Sequence, residues 1–212
     1  MNEKRGSAAR RSLCLAAEVL VAEHGLEAVT LRRVAQIAGQ RNVAAVTYHF
    51  GTIQQLLRAT VEMRLQEAEA IRGQAIDTCS DPDGIDAFIA WLWVTRPALD
   101  AADELAPYAH VRFLLHMRLA GLLSDPFDSS VDRSGTPALE FWLECIRISL
   151  SHLPPHIAQA RVGLCGLMFW NAIAIHMDSL SGHPKSDSLK EILLDVEASV
   201  RLILDRPHEA AA

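Results

Sequence analysis

The residues from Thr30 to Phe50 predict two short helices separated by a glycine, and this stretch limits the possible folds more than any other. Thr30 can cap the first helix, Gly39 supplies the left-handed residue that ends it, and Asn42 can cap the second. The inward apolar positions, at helical spacing, are Leu31, Val34, Ala35, Ala38, Val43, Val46 and Phe50. The pattern is typical of a helix-turn-helix; the alternative is an ordinary pair of core helices.

The second of these helices would leave small and polar residues pointing outward. Ala44 and Ala45 would allow its backbone to approach the major groove closely. The methyl or hydroxyl of Thr47 can meet base edges, while Tyr48 and His49 can reach phosphate oxygens. This face therefore predicts contact with double-stranded DNA.

A longer helix precedes the motif and ends at Gly25. Its apolar stripe is Leu13, Ala16, Ala17, Leu20 and Val21. With this helix in place, the segments AAEVLVAEHG, TLRRVAQIAG and YHFGTIQQLL resemble, in order and spacing, the TetR family of one-component transcriptional repressors. The resemblance runs from about Arg11 to Glu62.

The resemblance implies a DNA-binding surface built from this motif. Direct base contacts would come from Ala44, Ala45 and Thr47, with Gln40, Arg41 and Asn42 beside them. Phosphate contacts would come from Thr30, Arg32, Arg33, Tyr48 and His49. Two features depart from the family: Thr52-Ile53 stands where a Ser-Lys pair is usual, and the turn from Gly39 to Asn42 is one residue longer. Arg41, in that turn, could supply the missing cation.

Charge is distributed unevenly along the chain, whose net charge is -6. Residues 1–60 hold eight Lys and Arg against four Glu, a net of +4, so the remaining residues carry -10. Phosphate neutralisation needs positive charge only where the protein contacts DNA. A basic N-terminal segment, residues 1–60, here called the head, followed by an acidic remainder therefore suits a DNA-binding module joined to a sensor domain. A basic surface with no nucleic-acid partner is the alternative.

The rest of the chain predicts further helices and no strand. A fourth helix would run from Thr52 to about Thr78, and others would occupy about 85–96, 98–106, 107–124, 136–152, 155–181 and 187–205. We therefore expect an all-α protein with a helix-turn-helix DNA-binding domain at 1–52. A helical ligand-sensing and dimerisation domain would follow at 53–212.

The helix 155–181 is apolar on nearly every face, which a single core cannot bury. The helix 136–152 offers Leu139, Trp142, Ile146 and Leu150 at near-helical spacing. The resemblance implies that these two helices pair with their copies as a four-helix homodimer interface. A central helix buried within a monomer is the alternative.

Bulky aromatic residues lie outside the head, which suggests a pocket for a small, largely apolar effector. Its predicted lining is Trp91, Arg112, Phe113, His116, Met117, Trp142, Phe169, Trp170, Asn171 and His176. The alternative is that these aromatic residues belong to the core.

Other functional classes find less support in the sequence. His110 and His116 are six residues apart, which does not place two metal ligands on one helical face, so no metal or cofactor is expected. The four cysteines are scattered and suit a reducing cytoplasm, with redox sensing by Cys145 or Cys165 as the alternative. No catalytic motif is present, so we do not expect an enzyme. No signal peptide is evident, and the apolar run 163–177 is short for a bilayer, so a cytoplasmic protein is expected.

The sequence thus predicts a dimeric repressor that binds a palindromic operator and responds to a small molecule. The alternative is a helical ligand- or partner-binding protein whose head has lost specific DNA binding.

Overall fold

The computed structural model describes residues 2–40, 42–78, 89, 109–123, 132–179 and 186–207, which form helices and no strand. The helices are α1 (Asn2–His24), α2 (Leu31–Ile37), α3 (Ala44–Phe50), α4 (Ile53–Glu67), α5 (Glu69–Thr78), α6 (Ala109–Leu119), α7 (Pro137–Ser149), α8 (Pro155–Ser179) and α9 (Ser186–Asp205). A 3-10 turn, Leu26–Ala28, follows α1. The predicted all-α class is confirmed. The helices predicted at about 85–96 and 98–106 lie outside the described residues, except for Ile89, which is helical and buried.

The chain divides into two compact units. An N-terminal unit combines residues 1–67 and 102–123, and a C-terminal unit combines residues 68–101 and 124–212. The first therefore contains α1 to α4 together with α6, and the second contains α5, α7, α8 and α9. The functional boundary expected at residue 52 stays a prediction.

The core of the N-terminal unit forms around α1. The whole predicted apolar stripe of α1 is buried there, together with Val34 and Val46 of the next helices. Phe113 and Met117 of α6 enter the same core, at 0% and 1% exposure. The helix-turn-helix is therefore held on a scaffold that includes a helix from much later in the chain.

Charged side chains also join α1 to α4. Arg64 donates from Nε and Nη2 to the two oxygens of Glu18, at 2.7 and 2.6 Å, and Glu18 is almost fully buried. The third nitrogen, Nη1, donates to Glu67 at 2.7 Å, and Glu67 in turn accepts from Arg11 at 3.0 Å. This bidentate geometry fixes the two helices more specifically than apolar packing alone.

The single helix predicted from Thr52 to Thr78 is wrong in one respect, because it is divided at Ala68 into α4 and α5. The sequence around Ala68 has no Gly or Pro to indicate a break. Just after the break, the Glu69 carboxylate accepts hydrogen bonds from the backbone N–H groups of Ala138 and Leu139, in the first turn of α7. An acidic group there satisfies amides that have no partner within the helix.

In the C-terminal unit, α7 packs on α5 and α9 packs on α8. Trp142 of α7 is fully buried and donates its indole N–H to the Arg72 carbonyl at 3.3 Å. Burial lowers the pKa of the Arg72 guanidinium, against the opposing effect of Glu69. Pro137 and Pro155 are the first residues of α7 and α8, where a proline loses no helical hydrogen bond.

The described part of the chain contains one helix, Pro155–His176, that is long and apolar enough to cross a bilayer. A third of its apolar window is buried inside the protein. The core helix of a soluble protein meets the same criteria of length and composition.

Candidate DNA-binding surface

The first helix of the motif, α2, begins at the predicted cap. The Thr30 hydroxyl accepts a hydrogen bond from the Arg33 backbone N–H at 3.3 Å. Val34 and Ala35 are buried, and Leu31 and Ala38 are half-buried against the same core. The predicted inward face of α2 is confirmed.

The turn after α2 closes through two backbone hydrogen bonds. Gln40 N–H donates to the Ala35 carbonyl at 2.8 Å and Gly39 N–H to the Gln36 carbonyl at 3.2 Å. Gly39 has φ 66°, the left-handed conformation that this C-terminal motif requires. The Ser12 hydroxyl donates to the Ala38 carbonyl at 3.3 Å and so ties the turn to α1.

The second helix, α3, is capped from two residues before its start. The side-chain oxygen of Asn42 accepts from the Ala44 backbone N–H at 2.8 Å, which confirms the predicted capping role. Val46 and Phe50 are buried as predicted, but Val43 is 40% exposed. The prediction of a buried Val43 is wrong: the residue lies just before the first residue of α3, at the exposed start of the helix.

The outward side of α3 carries the predicted contact residues. Ala44 and Thr47 are exposed, and Tyr48 is 86% exposed. The His49 ring is half-buried and lies edge-on to Tyr48, with 5.2 Å between the ring centroids. Of Ala45 only the helical backbone is described. A large tyrosine so exposed on a short helix has no packing role, which leaves its ring and hydroxyl available to a partner.

A capping box that the sequence analysis missed follows α3. Gly51, with φ 70°, ends α3, and Thr52 begins the next turn. Thr52 N–H donates to the side-chain oxygen of Gln55 at 3.1 Å, and Gln55 N–H donates to the Thr52 hydroxyl at 3.1 Å. The spacing Thr-x-x-Gln is the sequence signal that would have indicated it.

Positive charge surrounds the motif. Arg32 and Arg33 are exposed, and Arg33 Nη1 donates to the Ala28 carbonyl at 3.2 Å. Thr30 is exposed, Gln40 is half-buried, and Arg41 lies outside the described residues. Arg10 of α1, which the sequence analysis did not select, places its guanidinium carbon 4.9 Å from the centroid of the Phe50 ring. No local pattern indicates this contact, because forty positions separate the two residues.

The predicted ligand-binding residues are divided between the two units. In the N-terminal unit, Phe113 and Met117 are buried in the core around α1, and Arg112 and His116 are half-buried on the same helix, α6. The structure therefore places two of the four in contact with the scaffold of the DNA-binding motif.

The other predicted ligand-binding residues belong to the C-terminal unit. Trp142, Phe169 and His176 are buried, Trp170 is half-buried, and Asn171 is exposed. Trp91 lies outside the described residues. The lining as a whole stays a prediction.

The interface residues expected on the helix 136–152 need correction. Leu139, Trp142, Ile146 and Leu150 are all buried inside the protein, at 6% exposure or less. The apolar residues that α7 exposes are Phe141 and Ile148. The spacing identified one apolar face correctly but could not tell burial within the chain from burial by a second chain.

The cysteines that the structure describes are buried and free of disulfides. Burial raises the pKa of Cys165 to about 11 and also raises that of Cys14 above its usual value. Because the thiolate is the reactive form, this raised pKa argues against redox sensing by Cys165. Among the described residues, no three His, Cys, Asp or Glu side chains are grouped as a metal site requires.

Comparison with known proteins connects this geometry to a family. Residues 13–60 match the family of bacterial regulatory proteins described as the tetR family. No curated protein matches the chain. The crystal structure of a transcriptional regulator from Rhodococcus sp. Rha1 is similar over 92% of this chain and 95% of that chain, at 22% identity and a TM-score of 0.49. Residues 13–60 are therefore a helix-turn-helix domain of the TetR type, and the protein is a DNA-binding transcription regulator.

Proposed function

We propose that this regulator is a repressor that binds a palindromic operator as a homodimer and is released by a small, largely apolar molecule. One observation carries the DNA-binding part: α3 is capped at its start, closed by Gly51 at its end, and exposes Thr47 and Tyr48 on one side. An α-helix with its side chains is about 10–12 Å in diameter. The major groove is about 12 Å wide and admits such a helix.

The residues of this surface form two groups, those that would contact bases and those that would contact phosphates. Thr47, with Ala44 and Ala45 beside it, would meet base edges. Tyr48 and His49 at the far end of α3, and Thr30, Arg32 and Arg33 at the start of α2, would hold phosphates and fix the register. Gln40, Arg41 and Asn42 would border the groove at the turn.

Exposed apolar residues support the homodimer. Ile148 on α7 and Leu164 and Ile175 on α8 are each at least half exposed. Burial of such side chains is favourable at about 25 cal/mol per Å² of apolar surface, and a second copy of the chain offers the matching surface by symmetry. Two copies would present two α3 helices to half-sites about 34–36 Å apart, hence a palindromic operator.

The arrangement of α6 supports a route from effector to DNA. Arg112 and His116, two predicted effector contacts, lie on the helix whose Phe113 and Met117 fill the core beneath the motif. An effector that binds Arg112 or His116 would act on that core through a single helix. The effector can change operator affinity only as far as its own affinity differs between the DNA-binding and the released conformations of the protein.

Selection of bound sequences from a random duplex pool, at about 0.15 M salt, tests the proposal because non-specific phosphate binding is weak there. We expect a palindromic consensus. A consensus with a single half-site would contradict the dimer, and no enrichment would favour a helical binding protein with lost DNA specificity.

The effector can be sought with the protein's own fluorescence. All four tryptophans, Trp91, Trp93, Trp142 and Trp170, follow the helix-turn-helix in the sequence, and Trp142 and Trp170 lie in the C-terminal unit. A compound that changes their emission and, at the same concentration, releases the selected operator would be an effector. Compounds that change emission with no loss of operator binding would contradict induction by that class of molecule.

A further inference from the structure

Arg10 of α1 lies over the last residue of α3. Its guanidinium carbon is 4.9 Å from the centroid of the Phe50 ring, and Phe50 itself is buried in the core of the N-terminal unit. A guanidinium stacked on an aromatic face keeps its outer N–H groups for another acceptor. A cation from α1 is therefore held at the C-terminal end of α3.

The chain around α3 has no permanent cation of its own. Residues 42–57 include no Lys or Arg, and Ile53, just after α3, is half-buried in the core. A phosphate strand borders the major groove on each side. A fixed positive charge beside the phosphates at the Phe50 end must come from another element.

Arg10 and Arg11 of α1 differ in whether an acidic side chain is paired with them. Arg11 Nη2 lies 3.0 Å from Glu67 Oε1. Arg10 is exposed and forms no ion pair with any residue in the described part of the chain. Arg10 can thus neutralise a phosphate without giving up an acidic partner, whereas Arg11 cannot.

We infer that Arg10 binds a DNA phosphate at the C-terminal end of α3, positioned by the ring of Phe50. The inference rests on the proposed operator binding and extends the DNA-binding surface to α1, outside the helix-turn-helix. Arg10 supplies at this end the cation for which the sequence suggested Arg41. A phosphate contact adds affinity and fixes the register without reading a base.

The salt dependence of binding tests this contact. Wild type, R10Q and R10K are titrated at several salt concentrations onto two duplexes of equal length, the selected operator and a scrambled sequence. For R10Q, the negative slope of log K against log salt should become shallower by about 0.9 for each bound protomer. Both duplexes should lose affinity by the same factor. R10K should keep the wild-type slope, since an ammonium also neutralises a phosphate.

The matched control is R11Q, which removes a positive charge one residue away and should leave the slope nearly unchanged. Thermal unfolding without DNA should give a midpoint for R10Q within about 4 °C of wild type, since loss of an exposed cation–π contact costs only about 0.5–1 kcal/mol. A larger drop would show that the N-terminal unit itself is destabilised. The inference would be overturned if R10Q kept the wild-type slope, or if R10Q and R11Q reduced the steepness of the slope equally. If wild type does not prefer the operator, operator recognition fails as a proposal, and the scrambled duplex alone decides the role of Arg10.

Discussion

Thr47 and Tyr48 are neighbours on α3 and both are exposed, yet their chemistry predicts different roles. A threonine side chain is short and meets a base edge only where the helix backbone lies close to the groove floor. The tyrosine hydroxyl lies at the end of a long, rigid side chain and can reach the phosphate strand that borders the groove. A substitution of Thr47 should therefore change the sequence preference, whereas a substitution of Tyr48 should change the affinity for all sequences.

Thr47→Ala should cost about 1–3 kcal/mol for the preferred base at one operator position and leave the other positions unchanged. Tyr48→Ala, the matched control on the same face, should weaken binding to all sequences by a common factor because a phosphate contact carries no base information. Competition binding with singly substituted operators measures both. An unchanged preference at every position would remove Thr47 from the base-reading set.

At the scale of elements, α3 depends on the structure at its two ends. Seven residues are too few for a stable helix in water, so its caps and buried residues must hold it. Gly39 and Gly51 have nearly the same positive φ, at 66° and 70°. They differ in their surroundings: a Cβ at Gly39 would meet nothing within 4 Å, while one at Gly51 would lie 2.7 Å from the Gln55 side-chain oxygen.

Gly51→Ala should therefore be more destabilising than Gly39→Ala. Each substitution places an alanine at positive φ, at a cost of at least about 1 kcal/mol, and the cost is larger at Gly51, whose ψ of -62° lies outside the left-handed helical region. Gly51→Ala also displaces the oxygen that accepts the Thr52 N–H, and loss of such a cap costs about 1 kcal/mol more. Urea unfolding measures the difference, and equal losses of stability would show that the capping box contributes little.

The ion pairs between α1 and α4 differ in burial. Glu18 is almost fully buried and accepts two hydrogen bonds from Arg64, whereas Arg11 and Glu67 are exposed. Arg64→Met leaves a buried carboxylate without its bidentate partner and should lower the free energy of unfolding by about 3 kcal/mol. Arg11→Met should lower it by less than about 1 kcal/mol. Similar losses for both variants in urea unfolding would contradict this difference.

The sequence predicted most of the N-terminal elements because their signals are local. Thr30, Gly39 and Asn42 act within one or two turns of their own positions, and each does what its residue type predicts. The hydrogen bonds of Glu69 with α7 and the contact of Arg10 with Phe50 join residues tens of positions apart, which a single sequence does not connect. Sequence spacing therefore found the helices of the site but not the cation that α1 brings to it.

At the scale of the whole molecule, oligomeric state should depend on exposed apolar residues of α7 and α8. Ile148→Glu and Ile175→Glu would each place a charge in the proposed interface, and burial of an unpaired charge is unfavourable. Light scattering should find a dimer in the wild type and a monomer in these variants, with weakened binding to a palindromic operator. Leu119→Glu is the matched control, because Leu119 is 69% exposed but belongs to the N-terminal unit. A dimer in all variants would place the interface elsewhere.

The position of α6 limits how this regulator can be re-engineered. Residues 13–60 carry the family match, yet Phe113 and Met117 fill the core on which those residues fold. A chimaera that joins residues 1–60 to a foreign sensor would lack these two side chains and leave a cavity beneath its transplanted head, at a cost of several kcal/mol for each large residue lost. The portable module of this protein is discontinuous in sequence, and exchange of DNA specificity between regulators would have to carry α6 with the head.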